Sequence, residues 1–78
     1  MTKQFRKMQM WITDNGDVYS YNTWVGVIDY RNNTLYEWGY GNYSTTTSKQ
    51  ITILCRDKHL TRKHITDKEL FVTNYKYN

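Results

Sequence analysis

The side chains in this sequence that could do chemistry are two histidines, one cysteine, a pair of aspartates and a run of hydroxyls. His59 and His64 are five residues apart. On one helix that separation turns them about 140° from each other, too far to converge on a metal as i, i+4 pairs do, so both are expected to face solvent. A nucleophilic thiol needs an electropositive, partly exposed setting and a partnered base, whereas Cys55 falls on an apolar stripe, the usual place of a free structural cysteine. Asp14 and Asp17 bracket Asn15-Gly16, and carboxylates so placed serve the turn. The run Ser44-Thr45-Thr46-Thr47-Ser48 could hold an anion at a helix N-terminus or accept a phosphoryl group. Thr47-Ser48-Lys49-Gln50 also spells a capping box, which uses the same N–H groups internally, and capping is the preferred reading. No phosphate loop, nucleophile elbow or metal-ligand motif occurs. The chain therefore reads as non-enzymatic, with no cofactor and no metal.

The elements that must position these groups show in the periodicity. In "KMQMWIT" Met8, Met10 and Ile12 share one face of a strand and Trp11 takes the other. Asn15-Gly16 fits a two-residue type I′ turn, which pairs Ile12 with Tyr19, Met10 with Tyr21 and Met8 with Thr23. A second hairpin about Asn32-Asn33 pairs Val27 with Trp38 and Val25 with Tyr40, and Gly39 and Gly41 end the sheet. The capping box starts a helix at about Ser48 that runs to about His59. Ile51, Leu54, Cys55 and the stem of Lys58 face the sheet, while Thr52, Arg56 and Lys63 look outward. Thr66-Asp67-Lys68-Glu69 is a second capping box, predicting a short helical turn and then a β-like tail over "FVTNYKY". The expected fold is α+β: an antiparallel β-meander of about three or four strands between Lys7 and Tyr40, one α-helix packed on it, and a short C-terminal element.

With 78 residues, the chain allows one domain, 1–78, whose core needs help from bulky side chains or from self-association. The 8 Tyr, 3 Trp and 2 Phe supply that bulk. A single cysteine excludes an intrachain disulfide and points to a reducing compartment, the cytoplasm. No apolar run approaches the ~20 residues of a membrane span, and the start MTKQFRKMQM lacks an apolar signal core, so neither membrane insertion nor secretion is expected. A net charge of +4 favours acidic partners without selecting one.

The segments "YSYNTWVGVI" and "YSTTTSKQI" carry a resemblance. Together they resemble a family of small uncharacterised proteins of tailed phages, whose members show a SYNTxVA-like strand and a TTSKHI-like helix start. The match runs from Tyr19 to about Leu54 and departs at Trp24, Gly26 and Gln50, where the family often has Pro, Ala and His. The resemblance implies a phage origin and a sheet-then-helix order; it brings no activity or functional residue with it.

Two binding functions from different classes remain. In the first, the protein covers a host or defence protein as an inhibitor or modulator, with Trp11, Tyr36 and Trp38 as candidate anchors, because Tyr and Trp bury much area at little rotamer cost. Trp11 is left over if the helix covers the methionine face; a chain terminus packed over its ring would be the structural alternative. In the second, the protein binds single-stranded nucleic acid, with bases stacked on sheet aromatics and Arg56, Lys58, Arg62 and Lys63 along the phosphates. The basic residues lie outside the aromatic segment, and no run joins aromatics to cations, so the protein target is preferred.

Overall fold

The computed structural model describes residues 2–38 and 45–77. Among them six strands and two helices follow in the order β1 (Lys3–Gln4), β2 (Met10–Ile12), β3 (Asp17–Ser20), β4 (Thr23–Asp29), β5 (Thr34–Glu37), α1 (Thr45–Lys58), β6 (Thr61–His64) and α2 (Lys68–Tyr77). The strands form one sheet in sequence order, antiparallel from β1 to β5 and parallel between β5 and β6. The α+β class stands, but the expected meander gains a short first strand and a parallel sixth. Parallel neighbours need a crossover connection, and α1 lies within it.

The first hairpin differs from the expected register by one residue. Ile12 pairs with Val18, Trp11 with Tyr19 and Met10 with Ser20. Thr13 N–H donates to the Asp17 carbonyl and Gly16 N–H to that of Thr13, so Asp14-Asn15-Gly16 is a three-residue loop. Gly16 alone among them has a positive φ, 89°, which is the pattern of a type I turn closed by a left-handed glycine, and it replaces the type I′ turn. One residue of slip changes every face: Tyr19 now lies beside Trp11, not Ile12. A tight turn at Tyr21-Asn22 joins β3 to β4, with a bulge opposite Val18/Tyr19 that shifts the pairing from Val18↔Gly26 to Tyr19↔Trp24.

In the second hairpin Val27 pairs with Tyr36 rather than Trp38, and the loop is Tyr30–Asn33. Asp29 sets that loop length: its carboxylate accepts from the Arg31 backbone N–H at 3.1 Å and from Asn32 Nδ2 at 2.8 Å. The slip is by two residues, so the faces survive it. Tyr40, Gly39 and Gly41 lie outside the described residues.

The core lies between one sheet face and α1. Met10, Val18, Val25, Ile28 and Leu35 meet Ile51, Leu54 and Cys55 there, with Phe5 closing one end. Ile51, Leu54 and Cys55 are thus buried and Thr52 and Arg56 exposed as their spacing predicts, whereas Lys58, expected to lay its stem on the sheet, is exposed. The helix begins three residues before Ser48, so Thr47 sits inside its first turn and no capping box forms. Thr47 and Gln50 instead turn into the sheet. Ser20 Oγ donates to Gln50 Oε1 and lies 3.1 Å from Thr47 Oγ1, a buried polar contact that ties α1 to the end of β3. What precedes Thr45, including any cap, lies outside the described residues.

The other end of α1 is a Schellman motif: Leu60 N–H donates to the Cys55 carbonyl and His59 N–H to that of Arg56, with His59 at φ 57°. A histidine there carries a steric penalty that glycine avoids. His59→Gly is therefore expected to raise stability by about 0.5–1 kcal/mol; a lower urea midpoint for that variant would contradict the motif.

At the C-terminus the β-like tail is not found. Asp67, not Thr66, caps α2, its Oδ1 accepting from Leu70 N–H at 3.0 Å, and the helix continues through "FVTNYKY" to Tyr77. A capped N-terminus and the docking of Phe71 on the sheet outweigh the β propensity of Phe71 and Val72.

Candidate protein-binding surface

Strand alternation places a row of aromatic rings on the sheet face away from α1. Trp11 of β2, Tyr19 of β3, Trp24 of β4 and Tyr36 of β5 are cross-strand neighbours or lie one strand further along the same face. Trp38, just past β5, packs edge-on against Trp24 with ring centroids 4.7 Å apart, and its indole Nε1 donates to the Trp24 carbonyl.

Helix α2 covers only the β4–β5 half of this row. Phe71 lies 4.7 Å from the Tyr36 ring and 6.2 Å from that of Trp38, Tyr75 stacks on Phe71, and the Lys68 ammonium sits 5.0 Å from the Trp24 centroid. Tyr36 and Trp38, two of the three expected anchors, are therefore engaged within the chain and half-buried. Trp11 is half-buried too, but away from α2. It lines a shallow groove of about 320 Å³ with Thr2, Tyr19, Tyr21 and Asn22, and Tyr21 is 53% exposed. Tyr19 and Tyr21 escape the sequence reading because the assumed type I′ register turned Tyr19 toward the core. Trp24 escapes it because the bulge beside it breaks the alternation.

The four basic residues do not converge. Arg56 and Lys58 are exposed on α1. On β6, Arg62 pairs with Leu35 and points to the α1 side of the sheet, while Lys63 pairs with Tyr36 and points to the aromatic side. Arg62 is already committed: its guanidinium donates to Thr52 Oγ1 at 3.1 Å and lies 3.7 Å from Glu37 Oε2. His64 is exposed, as expected, yet its Nδ1 also lies 2.9 Å from Glu37 Oε1. Glu37 itself is fully buried. Its carboxylate, with Arg62 and His64, joins β5 to β6, and no feature of the sequence announces it.

Burial pushes the Cys55 thiol above its ordinary value; Arg62 opposes the shift and Glu37 adds to it. A thiol so placed stays protonated at neutral pH and is a weak nucleophile. Among the described residues no group of three His, Cys, Asp or Glu side chains is arranged to hold a metal ion, and no helix is long and apolar enough to cross a membrane. No family profile, curated protein or solved structure matches the chain.

Proposed function

We propose that this protein is a non-enzymatic, phage-type accessory protein that acts in the cytoplasm of the host cell by binding a host or defence protein, and that the groove around Trp11 receives an apolar side chain of that target. The observation that carries the reading is the half of the aromatic face that α2 does not reach: among the described residues α2 occupies the Tyr36–Trp38 half, while the half-buried Trp11 and Tyr19 and the exposed Tyr21 line a shallow groove. The resemblance to tailed-phage proteins supplies the biological setting, and the net charge of +4 favours a target with acidic residues around the contact. Nucleic-acid binding is less well supported, since Arg62 is held by Glu37 and Lys63 lies on the opposite side of the sheet from it.

Capture of partners from host lysate, with and without nuclease, by wild type and by Trp11→Ala and Tyr21→Ala tests this. A protein retained after nuclease is expected to be lost from Trp11→Ala, with a cost of about 2 kcal/mol or more and little salt dependence. Tyr21→Ala, at an exposed position, should weaken it as well. If capture ends with nuclease, and single-stranded DNA or RNA binds below micromolar at physiological salt with a steep salt slope, the protein-target reading fails.

A further inference from the structure

We propose that a second groove, on the α1 side of the β1–β2 edge, binds an aromatic ligand carrying one phosphate group, of nucleoside monophosphate size. This groove of about 490 Å³ lies between β1, the β2–β3 loop, the β4–β5 loop and the last turn of α1. That volume is within the range of small-molecule sites. Its walls combine two kinds of group that such a ligand requires.

The first is cationic. Lys3, Arg6 and Lys58 all line the groove. Lys3 and Lys58 form no ion pair among the described residues, so both ammonium groups are available to a phosphate. Arg6 is held in place by Asp57, at 2.6 Å, and its backbone sits at φ 54°. A non-glycine residue in the left-handed region is strained, and such strain concentrates where a side chain must be aimed. Asp14 also lines the groove. Three cations against two carboxylates suit a single phosphate better than a polyphosphate chain.

The second is a flat apolar surface. Tyr30 is 57% exposed, and its ring lies next to the β2–β3 loop: a Cβ at Gly16 would stand 3.4 Å from Tyr30 Cε2. Phe5, nearly buried, and Ile12 complete the apolar lining. A base stacked on Tyr30 gains contact area at little cost in side-chain ordering, because a tyrosine has only two side-chain torsions to fix.

Titrating isotope-labelled protein with adenosine and uridine 5′-monophosphates, with adenosine and inorganic phosphate as separate arms, tests the site by amide chemical shifts. Saturable shifts centred on Lys3, Thr13, Tyr30 and Lys58 are expected from at least one nucleotide, at an affinity about tenfold or more above either fragment. Lys3→Glu with Lys58→Glu should weaken the nucleotide about tenfold with the melting temperature unchanged. Tyr30→Ala should weaken the nucleotide and leave the phosphate arm as it was. The proposal is overturned by a nucleotide that binds no tighter than phosphate, by shifts centred elsewhere, or by no saturable response. None of these results bears on the Trp11 groove, which lies on the other sheet face.

Discussion

Gly16→Val is expected to lower the unfolding free energy by about 3 kcal/mol, through two independent costs at one position. The first is conformational: Gly16 has φ 89°, where a β-branched side chain is strained. The second is steric. A Cβ at Gly16 would lie 2.6 Å from the Ile28 carbonyl oxygen. The backbones cannot separate freely, because Ile28 N–H donates to the Gly16 carbonyl at 2.8 Å and ties the loop to β4. Asn15→Ala supplies the contrast. Asn15 has no positive φ in the three-residue loop, so its replacement should stay within about 0.5 kcal/mol of wild type, whereas a type I′ turn would penalise both positions. Urea midpoints for the two variants decide the matter: equal losses would restore the two-residue turn, and an unchanged midpoint for Gly16→Val would remove the loop described above.

Arg62→Met is expected to cost about 2–3 kcal/mol, because it strips the guanidinium from a buried carboxylate. The Glu37 side chain is 1% exposed, and the loss of Arg62 removes its guanidinium neighbour and leaves the His64 Nδ1 contact. The guanidinium also bonds Thr52, so part of the cost is the link from β6 to α1. Adding Glu37→Gln to Arg62→Met should recover a substantial part of the loss, since a neutral amide is far less costly to bury than a poorly compensated charge. The double-mutant cycle carries the test. Additive losses, with no recovery, would mean that Arg62 acts through packing and not through the Glu37 charge.

The sequence was legible where one residue type dictates local geometry. Alternation in "KMQMWIT" identified the β2 region and the separation of Trp11 from Met10, and the Ile51–Leu54–Cys55 spacing identified the buried stripe of α1. Registers were harder, because Asn15-Gly16 suits both a two- and a three-residue loop, and the side chain of Asp29 sets the length of the next. β6 was illegible: "TRKH" has no apolar pattern, since a parallel edge strand with Arg62 and His64 turned toward Glu37 needs none. Of the site, Trp11 was correctly placed on the face opposite the methionines, but the division of the aromatic row between α2 and solvent depends on Asp67 starting a helix long enough to bring Phe71 and Tyr75 over Tyr36.

The parallel pairing of β5 with β6 bears on the growing chain. Strands β1 to β5 are joined in sequence order and can pair by hairpins within microseconds, whereas synthesis adds only about 5–20 residues per second. A five-stranded sheet can thus assemble on the ribosome before α1 and β6 have emerged, leaving β5 as a temporary open edge. Glu37 sits on that edge with its carboxylate directed toward the future core. An inward charge discourages another chain from adding a strand there, as edge strands in mature proteins are guarded. When β6 arrives, it brings Arg62 and His64 with it. The same carboxylate that kept the edge closed to strangers then becomes the contact that admits the chain's own last strand.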